Sequence, residues 1–187
     1  MNYYKIPSIN ECYEIMEGRM LPHIKEHSEQ VMKVALIIVD NLKPDITINR
    51  NLVISACLLH DITKAESLNT KEHHDVTGGE FIRKLGYLEV ADIITEHVEL
   101  KNYNLNGSIE EKEIVFYSDK RVMHTEIVTV EERISDLLIR YGKTQMIRRH
   151  IIKNKDLILN IEKKIKENMN YDLNNLLTTL NQNIKLP

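Results

Sequence analysis

The stretch Leu52-Val53-Ile54-Ser55-Ala56-Cys57-Leu58-Leu59-His60-Asp61-Ile62-Thr63-Lys64 decides how this chain is read. Its first eight residues are apolar or small on almost every face. A helix without a polar face has no side to offer to water, so it belongs at the centre of a helical assembly. A histidine and an aspartate then follow in succession. Both are costly to bury unless paired or bound to a cation. Imidazole and carboxylate together suit Zn, Fe, Mn and Co. Such a dipeptide also arises by chance and can be no more than a hydrogen-bonded helix end, so its weight depends on its company.

Outward from this stretch, the periodicity is helical nearly throughout. Upstream, Ile9, Cys12, Tyr13 and Met16 recur at helical spacing within residues 8–18, and Gly18 is a stop. Pro22 opens a second helix at its first turn, with His27, Val31, Val34, Ala35 and Ile38 on one face and an end near Asn41. Asn49 is placed to cap the central helix. Downstream, residues 63–72 are polar and read as a loop. A helix follows from about Asp75, with Phe81, Ile82 and Leu85 inward and Gly86 as its stop. Others run from about Leu88 to His97 and over residues 110–119, with a turn-rich connection at 101–109. Residues 122–130 are β-branched and read as a short strand or an extended loop. Residues 131–141 are helical, and Gly142 breaks them.

The tail forms a long helix over about residues 144–168. Ile147, Ile151, Asn154, Ile158, Ile161 and Ile165 follow a spacing close to a heptad seam. Few heptads are present, so packing on its own domain is preferred over a dimer contact, with a homodimer as the alternative. The Asn-rich residues 170–187 read as a short helix and a frayed end. The expectation is an all-α protein: one helical bundle over residues 1–142, with a C-terminal helical extension, 143–187, packed on it.

Composition bounds the function. A length of 187 residues suits one domain with an appendage, long enough for a real core without disulfides. Lys and Arg number 25 against 28 Asp and Glu, so the net charge of −3 lacks the footprint of a binder of nucleic-acid polymers. The two cysteines, Cys12 and Cys57, give no disulfide framework, and residues 1–10 contain no apolar run of a signal peptide. No stretch reaches the length of a membrane span. A cytoplasmic location is expected. Gly and Pro are scarce, at 6 and 4, while His is plentiful at 8.

Several helices begin or end in a potential metal ligand beside apolar residues. His27 lies on the inward face of the second helix, though a lone histidine there is more often a satisfied core residue. His74 begins a helix in which Gly78 and Gly79 would let another backbone approach closely. His97 ends the apolar segment at 93–97, and Asp119 ends that at 114–119. His73 reads as a solvated helix start, and His23, His124 and His150 as structural or exposed. Lys64, one turn beyond Asp61, and Lys120 and Arg121, directly after Asp119, are candidate phosphate clamps, the arginine in bidentate fashion. Solvated surface charge is the alternative for all three.

In this order the segments PHIKEHS (22–28), LLHDITK (58–64), HDVTGGEFI (74–82), ITEHV (94–98) and YSDK (117–120) resemble the HD superfamily of metal-dependent phosphohydrolases, in particular its small stand-alone bacterial members. HDITK departs from the HD-isoleucine-glycine-lysine variant by Thr63 in place of glycine. The resemblance implies an all-α HD domain with its site in mid-bundle. It implies a metal site of His27, His60, Asp61 and Asp119, and a second ion at His74 and His97 with Asp61 as the bridge. It implies one or two divalent ions (Fe, Mn, Co, Ni, Zn or Mg). The activity implied is hydrolysis of a small phosphate ester, a nucleotide or dinucleoside polyphosphate, by attack of metal-bound hydroxide on phosphorus, with Asp61 and Lys64 catalytic. The second-domain length of the cyclic-dinucleotide and stringent-response enzymes is missing. A metal-bound regulatory module without turnover, and a di-iron oxygenase of the same fold, remain alternatives.

Overall fold

Local signals at the helix starts set the frame of the computed structural model, which describes residues 5–184. Helix α1 (Ile9–Met16) begins with a capping box in which Ser8 and Glu11 each accept from the other's backbone. Helix α2 (Pro22–Val39) has its proline at the first position. In α3 (Arg50–Leu59) the Asn49 side chain accepts from the Leu52 amide, and every residue from Leu52 to Leu59 is buried. The all-apolar stretch is therefore central: α3 packs against α1, α2, α6 and α7.

The expected loop at 63–72 is corrected by the structure, because a short helix, α4 (Lys64–Thr70), occupies it and ends on Lys71 in the left-handed conformation. None of its residues is buried, so it carries no apolar stripe and leaves no helical period in the sequence. Helices α5 (His74–Lys84) and α6 (Leu88–Glu96) form a tightly packed antiparallel pair joined at Gly86, whose φ is +91°. Helix α7 (Glu111–Lys120) starts on a second capping box, from Glu110 and Glu113, and its residues from Glu113 to Lys120 are all buried.

The ambiguous residues 122–130 resolve into a two-residue hairpin, β1 (Val122–Met123) antiparallel to β2 (Glu126–Ile127), followed by the start of α8 (Val130–Tyr141). His124, in the turn, has φ +57°. Helix α9 (Gln145–Glu167) packs against α7 and α8. Its heptad-like seam is its inner face: Ile151, Ile158, Ile161 and Ile165 are buried, Asn154 is half-buried, and Ile147 lies at the exposed end. Helix α10 (Leu173–Ile184) closes the order and touches α2 and the hairpin. The frayed end expected beyond it falls at 185–187, outside the described residues. No helix among them is long and apolar enough to cross a membrane.

Candidate metal centre

Six of the residues singled out by the sequence meet at one point in the bundle. His27 comes from the inner face of α2, His60 and Asp61 from the end of α3, His74 from the start of α5, His97 from the end of α6 and Asp119 from the last turn of α7. All are buried except His74, which is half-buried.

Three of the imidazoles are held by backbone carbonyls. The Nδ1–H of His60 donates to the Cys57 carbonyl at 2.7 Å, that of His97 to Ile94 at 2.6 Å, and that of His27 to His124 at 2.8 Å. A carbonyl can only accept, so Nδ1 must carry the proton and Nε2 is left as the ligand atom. For His60 and His97 the acceptor lies three residues earlier, at the end of the same helix, where carbonyls lack intrahelical partners. For His27 it comes from the hairpin turn, nearly a hundred residues away. Sequence reading misses these three acceptors because a backbone carbonyl has no residue type to recognise.

The Asp61 carboxylate faces two groups with its two oxygens. Its Oδ2 lies 3.4 Å from His60 Nε2 and 3.9 Å from His27 Nε2, and its Oδ1 lies 3.1 Å from His74 Nε2 and 3.5 Å from His97 Nε2. Two donor sets result, His27–His60–Asp61 and Asp61–His74–His97, each with ligand atoms within 4.8 Å of one another. Asp119 Oδ1 stands against the first set, 3.1 Å from His27 Nε2 and 3.7 Å from His60 Nε2.

These residues fit divalent ions. His60 Nε2 and Asp61 Oδ1 are buried with no hydrogen-bond partner, a costly state for a polar atom unless something binds it. The Nε2 atoms of His74 and His97 face each other at 3.2 Å, so a proton or a cation must lie between their lone pairs. Nitrogen and carboxylate oxygen in this mixture suit transition ions and Mn.

The charges agree. Burial pushes the Asp61 carboxyl up, but Lys64, His60 and His74 outweigh it and hold it well below the usual carboxylate range. Asp119 is likewise held well below that range: Lys120, His27 and His60 overcome its burial. Burial, with help from neighbouring His60 and His74, depresses His97 to about 4, against the pull of Asp61. It is therefore neutral at ordinary pH, the form in which an imidazole can ligate a metal ion. Burial also opposes a charge on His60, yet Asp61 and Asp119 raise it above its usual value. A proton on His60 and a metal ion beside it are alternative ways to balance two buried carboxylates.

Thr63, the departure from the family motif, needs no glycine conformation, with φ −107°. Its hydroxyl donates to the His74 carbonyl at 2.9 Å and so ties the Asp61 loop to the start of α5. Lys64 reaches Asp61 Oδ2 at 2.7 Å and stays partly exposed; Asp61 and Asp119 hold it charged against the effect of burial. Lys120 is buried, its ammonium spent on Asp119 Oδ2 at 2.6 Å and the His97 carbonyl at 2.9 Å. Arg121 is not brought to the cluster. Its guanidinium donates to the Val128 carbonyl and the Tyr117 hydroxyl and approaches Glu162. The expected phosphate contacts from Lys120 and Arg121 do not match these placements, because a polar end already committed to buried partners is not free for a ligand. His73 and His150 are exposed and outside the cluster.

A cleft of about 230 Å³ opens onto one side of the cluster, where His27, Asp61 and Lys64 form its floor. Its walls include His23 and His124, and also Leu68, Arg133, Arg140 and Tyr141. The two arginines had no motif to announce them.

A family model described as HD domain matches residues 24–138, which contain all six cluster residues. Neither a curated protein nor a solved structure matches the chain.

Proposed function

The chain belongs to the HD domain family, and from that premise we propose that it hydrolyses a phosphate ester, a nucleotide or dinucleoside polyphosphate, with the help of divalent ions. The observation that carries this reading is the Asp61 carboxylate turned between two histidine sets at the floor of an open cleft. His27, His60, Asp61 and Asp119 would hold one ion, and Asp61, His74 and His97 a second. A divalent ion in such a set supplies a Lewis acid and lowers the pKa of a water molecule toward neutrality.

The protein's own groups do the rest. Three fixed Nδ1 donors keep the ligand nitrogens aimed without reorganisation. Lys64, charged and partly exposed in the cleft, meets a phosphoryl oxygen and offsets the charge that grows on it. Lys120 is a positioning residue that joins Asp119 to the His97 backbone.

Elemental analysis of the purified protein, followed by a phosphate-release screen over nucleotides and dinucleoside polyphosphates with Mn, Fe, Co, Ni, Zn and Mg, tests the proposal. Asp61→Ala is expected to remove both ions and to lower phosphate release by about 1,000-fold or more, the upper scale of losing a preorganised electrostatic contact. Unchanged metal content and activity in Asp61→Ala would sink the reading. Full metal occupancy with no release from any ester would leave a binding module, and substrate-dependent oxygen uptake would point to an oxygenase.

A further inference from the structure

Helix α8 carries a group that the metal centre does not use. Arg133 Nη1 donates to Asp136 Oδ2 at 3.0 Å, and Arg140 is paired to the same oxygen. Arg133 and Arg140 lie two turns apart, so one carboxylate gathers two guanidinium groups onto one face of the helix. The trio keeps a net positive charge, because one anion cannot neutralise two cations. On a solvated helix this would be an ordinary run of surface pairs worth little. Two observations set it apart.

First, Arg133 is only 9% exposed, and its Nε is buried with no hydrogen-bond partner. A guanidinium buried with an unpaired donor is costly, and that cost has no structural return among the described residues. Asp136 takes Nη1 and Nε is closed off from solvent, so Nη2, which carries no hydrogen bond among the described residues, is the donor left to meet an anion. Second, Arg133 and Arg140 both line the cleft whose floor is Asp61 and Lys64. Tyr141 stands beside them, with the Arg140 guanidinium 5.8 Å from its ring centre.

We propose that Arg133 and Arg140, gathered by Asp136, form an anion subsite across the cleft from the metal centre, so that the substrate carries a second phosphate or carboxylate group apart from the phosphate that reacts. The inference rests on the proposed phosphate chemistry for the identity of the first group. The subsite sets substrate choice, not the chemical step. Loss of an arginine raises KM for doubly anionic esters and leaves kcat nearly unchanged.

Calorimetric titration of the metal-loaded protein with non-hydrolysable probes tests this without turnover. The probes are α,ω-alkanediphosphonates of increasing chain length, each compared with the alkylphosphonate of the same length. At the length that spans the two sites, the diphosphonate is expected to bind at least tenfold more tightly than its single-headed partner. Arg133→Gln removes that preference and leaves alkylphosphonate binding unchanged. Arg140→Gln, at an exposed position, reduces it without threatening the fold, and Arg133→Lys restores only part of it, because a compact ammonium cannot bond Asp136 and an anion in the fixed geometry of the guanidinium. If no diphosphonate surpasses its partner, or if the preference survives in both glutamine variants, the subsite does not exist. An arginine-dependent preference in a protein that hydrolyses no ester keeps the subsite and overturns the hydrolase; hydrolysis without the preference does the reverse.

Discussion

At the scale of single residues, His97 shows how burial keeps an imidazole in the neutral form that a metal ion could use. Its Nδ1–H is fixed on Ile94 and its pKa is depressed to about 4 by burial first, then by His60 and His74. An unfolded histidine titrates near 6.5. Between these values the unfolded chain binds a proton at this position and the folded chain does not. The contribution of His97 to stability is therefore fully present above about pH 6.5 and is lost as pH falls toward 4. Asp61 and Asp119, held well below the carboxylate range, keep their contribution through this window and lose it only at lower pH. In chelator, urea denaturation of the metal-free protein should lose more stability on acidification from pH 7 to 4.5 than the His97→Asn variant does, by roughly 2.5 kcal/mol. Equal losses in the two proteins would mean that the imidazole is not buried neutral. The six donors themselves were legible in the sequence, because each is a polar residue set against apolar neighbours. The carbonyls of Cys57, Ile94 and His124 were not, nor was Arg133, whose place in the cleft depends on how α8 lies across the bundle.

At the scale of elements, most helices were legible because each has an apolar stripe and a recognisable start, as with Asn49 before α3 and Pro22 in α2. Helix α4 was not, since none of its residues is buried. The hairpin at 122–127 stayed ambiguous because two residues per strand are too few to show a period. The pair α5 and α6 owes its closeness to a signal that was partly readable, the Gly78-Gly79 dipeptide. Of the two, Gly79 is the critical one. A Cβ there would lie 2.1 Å from Thr95 Oγ1 and 3.0 Å from the Ala91 carbonyl, whereas at Gly78 the nearest atom would be 3.3 Å away, the Thr63 hydroxyl. Gly79→Ala must push α5 from α6, at a cost of about 1–3 kcal/mol for overpacking. These helices bring His74 and His97 together. If the two sets hold an ion each, as proposed, the variant should retain the ion at His27 and His60 and lose the one at His74 and His97, which metal analysis after dialysis would show as a fall from two ions to one. Gly78→Ala should keep both. Adding Thr95→Ala to Gly79→Ala removes the hydroxyl clash but not the carbonyl contact, so the rescue is partial. Equal metal content in all these variants would show that the second set does not depend on this contact.

At the scale of the whole molecule, the C-terminal helices lie beyond the matched residues 24–138 and yet grip the helix that presents Asp119. Lys164 of α9 reaches both oxygens of Glu113 on α7 at 2.7 Å, and also donates to the carbonyls of Asn104 and Ser108 at 2.9 Å. One ammonium thus joins α9, the first turn of α7 and the 101–109 connection. Farther along α7, Tyr117 donates to Glu162 of α9 at 2.8 Å. Arg121, a candidate phosphate clamp by sequence alone, belongs to this clasp through Glu162 and Asn174. Both charges of the Lys164–Glu113 pair are almost fully buried. Removing one of them strands the other in a low-dielectric interior, which costs about 3–5 kcal/mol, whereas replacing both with apolar residues of similar size can be neutral. Lys164→Met and Glu113→Leu should therefore each lower the melting temperature by roughly 10 °C, taking about 2–4 °C per kcal/mol for a chain of this size. The double variant should melt well above either single one, although it still leaves the Asn104 and Ser108 carbonyls without their donor. Thermal melts of the four proteins in chelator decide the matter. Additive losses in the double variant would mean that the two side chains act separately, and that the C-terminal helices are held on α7 by their isoleucine face alone.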